Sequence, residues 1–126
     1  MNRYIIQGIL QDLTNGRDVL VVTPDLATAQ RAHQAVLDHV IAAGTAADHN
    51  WSKANGHTWI RHADAAATFV PLQGMAADHA DADVVVVNGY RTMTTGPKVW
   101  GGTGRNDTAI ARIRDLTDQR DTVLID

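Results

Sequence analysis

Six histidines and fourteen acidic residues, every one of them an aspartate, are the side chains of this 126-residue chain best suited to chemistry. His49, His57, His62 and His79 lie in the middle third with Asp48, Asp64, Asp78, Asp81 and Asp83 nearby. Imidazole and carboxylate are competent ligands for zinc or manganese. Their spacing matches no recognised site, however. His62 and Asp64 would share one face of a strand and Asp78-His79 falls in a polar connection, so the expectation is solvated side chains and no metal. His33 lies close to the Leu26/Val36 face and reads as a partly buried, hydrogen-bonded residue rather than a catalyst.

Other chemistries lack their parts. Cysteine is absent, which removes thiol nucleophiles, disulfides and zinc-thiolate sites. Glutamate is absent too, so a glycosidase-type pair would have to be Asp-Asp. Ser52 is the sole serine and has no G-x-S-x-G elbow around it. Gly101-Gly102-Thr103-Gly104-Arg105 before a helix could present N–H groups to an anion, but it does not directly follow its strand and no Lys-Ser/Thr pair accompanies it. Arg91, Lys98, Arg105, Arg112 and Arg114 interleave with Tyr90 and Trp100, as a nucleic-acid groove requires. Asp107, Asp115 and Asp118 dilute that charge, which favours a solvated loop and helix face.

The elements that would position these residues follow from apolar spacing. Ile5, Ile6, Ile9, Leu10 and Leu13 predict a helix over residues 3 to 15, ended by Gly16. Residues 18 to 23 form a β-branched run typical of a strand covered on both faces. Thr23 is then expected to cap a helix with Pro24 at its first position and Leu26, Ala29, Ala32, Val36 and Val40 facing inward, until Gly44 stops it. Residues 45 to 56 read as a polar loop anchored by Trp51, with Asn55-Gly56 as a turn, before two extended segments at 57–62 and 67–72. A buried strand at 83–88 leads into a long Gly-rich loop from Gly89 to Gly104. Asn106 or Asp107 caps a last helix with Ile110, Ile113 and Leu116 inward, and a third buried strand spans 121–126.

Strands separated by helical crossovers predict one α/β domain over residues 1–126, a three-layer sandwich with a mainly parallel, Rossmann-like sheet and a small β excursion at 57–72. Net charge is −3, against a strong electrostatic footprint for nucleic acid or an anionic membrane. No apolar run approaches the ~20 residues that span a bilayer, and no basic-then-apolar leader opens the chain, so a cytoplasmic protein without membrane contact is expected. Nine arginines against two lysines and nineteen alanines point to a GC-rich genome.

A helix ending in glycine, then VLVVTPDLATAQ (19–30), a β excursion with an Asn-Gly turn, and DADVVVVNGYRTM (81–93) together resemble the RecA-like core of P-loop NTPases. The closest likenesses are the ATPase domain of phage terminase large subunits and the first motor domain of helicases. The equipment for hydrolysis departs from that pattern. Neither Lys53 nor Lys98 has the flanks of G-x-x-x-x-G-K-[ST], and the chain starts where such a loop would have ended. The terminase-like register puts Asn88 and Gly89 in place of the metal-binding Asp and catalytic Glu. The helicase-like register leaves Asp126 last in the chain. Under either, ordinary ATP hydrolysis lacks its parts and no cofactor is expected.

The resemblance also implies that losing the phosphate-loop strand bares an edge, which in the terminase-like register is the strand at 121–126. Its residues Val123, Leu124 and Ile125 would then pair with a second copy or with a strand of a host or phage protein. The expected function is therefore a non-catalytic binding module of phage or prophage origin, working in the host cytoplasm by self-association or docking. Nucleic-acid binding through Arg91, Lys98, Trp100, Arg105 and Arg112 is the second expectation, and a metal- or nucleotide-dependent enzyme the third.

Overall fold

The computed structural model describes residues 1–54, 57–73, 81–95 and 104–126. Its first element, α1 (Arg3–Thr14), starts where the Asn2 side chain accepts a hydrogen bond from the Ile5 N–H at 2.9 Å, and buries Ile6, Ile9 and Leu13. The chain then turns through Gly16 at φ +77° into β1 (Val19–Thr23), in which every residue is buried. Helix α2 (Leu26–Ala42) is capped by Asp25, whose carboxylate accepts from the Thr28 N–H at 2.7 Å. That corrects the cap expected at Thr23. Thr23 ends β1 as a buried residue and spends its hydroxyl on the Asp25 carbonyl at 2.8 Å. The inward stripe holds from Ala29 to Val40 and adds His33 and Leu37, whereas Leu26 is 40% exposed.

A 3₁₀ turn (Ala46–Asp48) leads to β2 (Asn50–Ala54), β3 (His57–His62) and β4 (Ala65–Pro71). The two extended segments expected after residue 56 are therefore strands, but part of the presumed polar loop is a strand as well. Trp51 pairs with Ile60 and is 42% exposed, so it does not anchor a loop. Beyond β5 (Val84–Asn88), a short helix α3 (Tyr90–Thr94) occupies the start of the predicted Gly-rich loop, and α4 (Asp107–Thr117) is capped by Asn106 as expected. Ile113 and Leu116 of α4 are buried with Ala109, while Ile110 is partly exposed. The last element is β6 (Asp121–Ile125).

The six strands form one mixed, mostly parallel sheet in the order β2-β3-β4-β1-β5-β6. Strands β4, β1, β5 and β6 run parallel, and the β2-β3 and β3-β4 pairs are antiparallel. Register fixes two apolar layers by the period-2 alternation of strand side chains. Val21 stands beside Phe69 and Val86, and these residues pack with Ile9, Leu13, Val36 and Leu37 of α1 and α2. Leu20, Val22, Val85 and Val87 point the other way, onto Met93 of α3 and Ala109, Ile113 and Leu116 of α4.

The amino ends of the three central strands are pinned by two aspartates. The Asp18 carboxylate accepts from Ala66 N–H at 3.0 Å and the Asp83 carboxylate from Asp18 N–H at 2.9 Å, while the Asp18 carbonyl takes the N–H groups of Asp83 and Val84. This satisfies backbone groups that would otherwise be orphaned at strand starts. Among the described residues no helix is long and apolar enough to cross a membrane.

Candidate functional site

Strand β6 is an edge of the sheet, and its chemistry follows from which way each residue faces. The Ile125 carbonyl accepts from Gly89 N–H at 2.9 Å, so it points to β5. Within a strand the N–H and C=O of one residue point to the same side and successive residues alternate. Asp121, Val123 and Ile125 therefore bond to β5, and Thr122 and Leu124 present their backbone groups to the open side. Val123 and Ile125 rest their side chains on the α1/α2 layer. Leu124 stands in register with Val87, on the α4 side, yet is 56% exposed. The terminal strand is thus not buried on both faces, contrary to its apolar sequence: α4 covers β5 and stops short of it.

Charged side chains bracket this edge. Arg17 of the α1-β1 turn holds Asp121 in an ion pair and lies 3.3 Å from Asp12, and the hydrogen bond it donates to Asp121 raises the Arg17 pKa above its ordinary value. At the other end Arg91 lies 3.9 Å from Asp126. No charge falls between Asp121 and Asp126. The opposite edge, β2, carries Lys53, whose ammonium donates to Gln34 at 2.7 Å, and lysine on an edge is a common guard against strand pairing.

No family model, curated protein or solved structure matches this chain. The remaining candidate residues therefore stand on their geometry. At the carboxyl ends of the parallel strands, where α/β sheets commonly bind ligands, a cleft of about 360 Å³ is lined by Pro24, Gln73, Thr92, Asn106, Thr108 and Arg112, among others. Arg112 donates to the Leu72 carbonyl at 3.3 Å. Arg91 and Arg105 do not line it. Arg91 faces Asp126, and Arg105 lies 3.5 Å from Asp107. Lys98, Trp100 and residues 101–103 of the Gly-rich loop lie outside the described residues.

The histidines divide. His33 is buried, 1% exposed, and its Nε2 donates to the Trp59 carbonyl at 3.1 Å while its ring meets Phe69 edge-on at 5.4 Å. The sequence predicts a partly buried, hydrogen-bonded residue, and the burial is complete. Desolvation lowers its pKa from the ordinary 6.5, against the pull of the Trp59 carbonyl, and the positive charge of Lys53 lowers it further. The unfolded chain then takes up this proton first. Stability is complete above about pH 6.5 and falls as the pH drops below it. His33→Gln, which keeps a donor for Trp59 and cannot titrate, should flatten this part of the pH dependence in urea unfolding between about pH 7.5 and pH 5.5.

His49 and His62 meet, with ring centroids 5.1 Å apart, in a cleft that His39 and Asp48 also line. The strand face expected for His62 with Asp64 does not form, because Asp64 sits in the turn after β3. Asp83 is committed to Asp18, and Asp78 and His79 lie outside the described residues. Among the described residues no three His, Asp or Glu side chains are grouped to hold a metal.

Proposed function

We propose that this chain is a non-catalytic binding module on a three-layer RecA-like scaffold, and that it works by self-association through β6. The parallel order β1-β5-β6 supports the terminase-like register, in which the strand after the Walker B strand lies next to the position of the phosphate-loop strand. In that register β5 ends on Asn88 and is followed by Gly89, and these carry neither the metal-binding carboxylate nor the general base of ATP hydrolysis. Phage or prophage origin and action in the host cytoplasm belong to the same reading.

The observation that carries it is the exposed Leu124 on a hydrogen-bond-hungry edge whose charges sit only at its ends. A second copy fits that edge. Antiparallel pairing about a twofold axis at Val123 sets Thr122 of one copy opposite Leu124 of the other, the two residues whose backbone groups face outward. The same register brings Arg120 opposite Asp126, so the ends of the paired strands carry opposite charges. Light scattering on the eluting protein at high micromolar concentration should give twice the chain mass; a monomer there overturns the reading.

Single-stranded DNA on Arg91, Arg105 and Arg112 is the second reading, and Arg112 in the carboxyl-end cleft is the observation in its favour. It requires affinity that falls steeply with salt and weakens in Arg112→Ala. Asp126 and Asp107 beside two of the three arginines weigh against it.

A further inference from the structure

The cleft between α1 and the end of α2 holds the one pair of histidines whose rings are in contact among the described residues. It lies at the amino end of the sheet, away from both β6 and the Arg112 cleft. Both rings hang from one short turn: His49 Nδ1 is 2.8 Å from the Thr45 carbonyl, and His62 Nδ1 is 3.2 Å from the Asp48 carbonyl. A carbonyl can only accept, so each Nδ1 must carry the proton and each neutral ring keeps its lone pair on Nε2. This is the arrangement by which proteins orient metal-binding imidazoles, with the second ring nitrogen donating to a backbone oxygen.

The spacing fits the same chemistry. Two imidazoles on one tetrahedral ion, with metal–nitrogen bonds of ~2.0 Å, place their centroids about 5 Å apart, and here they are 5.1 Å apart at a 44° tilt. The space beside them, about 530 Å³, admits a hydrated ion. We propose that His49 and His62 form a two-imidazole site for a borderline divalent metal, zinc being the representative, with water completing the coordination. Hard magnesium and calcium prefer oxygen ligands and would not compete for it.

Calorimetric titration of the intact chain with zinc chloride should show one ion per chain bound in the micromolar range, with magnesium chloride giving no heat. His49→Ala and His62→Ala should each weaken zinc by at least ~10-fold, while circular dichroism remains that of the parent. Zinc should also shift the imidazole resonances of His49 and His62 ahead of the other histidines, a readout that needs no variant. Absence of zinc binding, binding unchanged in the double variant, or first shifts at other histidines would overturn the site.

Discussion

Leu124→Lys should convert the proposed β6-to-β6 dimer to a monomer without loosening the fold. In the isolated chain Leu124 is 56% exposed and supports no core contact that its loss would empty, so at concentrations low enough to keep the parent monomeric, thermal unfolding of the variant should stay within ~0.5 kcal/mol of the parent. In a β6-to-β6 pair the same side chain is covered and its own backbone is bonded to that of Thr122 across the twofold. Burying one leucine is worth ~1.5–3 kcal/mol. A twofold interface uses the residue twice, so dissociation should rise by about 100-fold or more, and lysine adds the like-charge repulsion that natural edges exploit. Val123→Ala is the reciprocal experiment. Its side chain rests on the α1/α2 layer, so it should lower stability by ~1 kcal/mol and leave dimer affinity nearly unchanged. A Leu124→Lys chain that still elutes at twice its mass would remove β6 as the assembly surface.

That pair of outcomes turns on a distinction the sequence could not show. Thr-Val-Leu-Ile at the end of the chain has the same signature as Val-Val-Val-Val in β5, because an apolar run records only that its side chains avoid water, not what covers them. In β5 two helical layers do so; in β6 one does. Leu124 stands out as an exposed apolar residue on a covered-looking strand only after the layers are in place. The reverse holds for β2. Both its faces are largely exposed, so no alternation of apolar and polar residues remained to reveal it, and only pairing with β3 makes Asn50–Ala54 a strand. Helix α3 is five residues long, too short for a helical period to show.

Local chemistry was legible where it depends on neighbours in sequence and not where it depends on topology. Asn106 caps its helix from the third residue back, as its position predicts, and Asn2 does the same for α1. Between Thr23 and Asp25, both good caps, the choice fell to Asp25 because Thr23 is committed to the buried end of β1. His33 is bonded to a carbonyl twenty-six residues away on β3, and His49 meets His62 only because β3 returns beside the 3₁₀ turn. Spacing along the chain carries neither contact.

Two glycine substitutions should move stability in opposite directions, and the larger effect reaches the proposed interface. Gly89 joins β5 to α3 at φ +94°, a left-handed conformation, and its N–H holds the Ile125 carbonyl of β6 while its own carbonyl accepts from Met93. A Cβ there would stand 2.9 Å from Cγ of Pro24, in a rigid ring. Strain at the backbone and overpacking against the proline together should make Gly89→Ala cost about 2–4 kcal/mol, a large share of the ~5–15 kcal/mol that stabilises an ordinary domain. Gly8 lies within α1 with nothing inside 4 Å of its would-be Cβ, so Gly8→Ala should instead stabilise by ~0.5–1 kcal/mol. Urea unfolding of both variants measures the contrast. Because the Gly89 turn is what fastens the carboxyl end of β6 to the sheet, amide exchange at Gly89 and along β6 should accelerate more than in the central strand β1. Uniform acceleration would mean that the turn supports the whole fold and has no special hold on the edge.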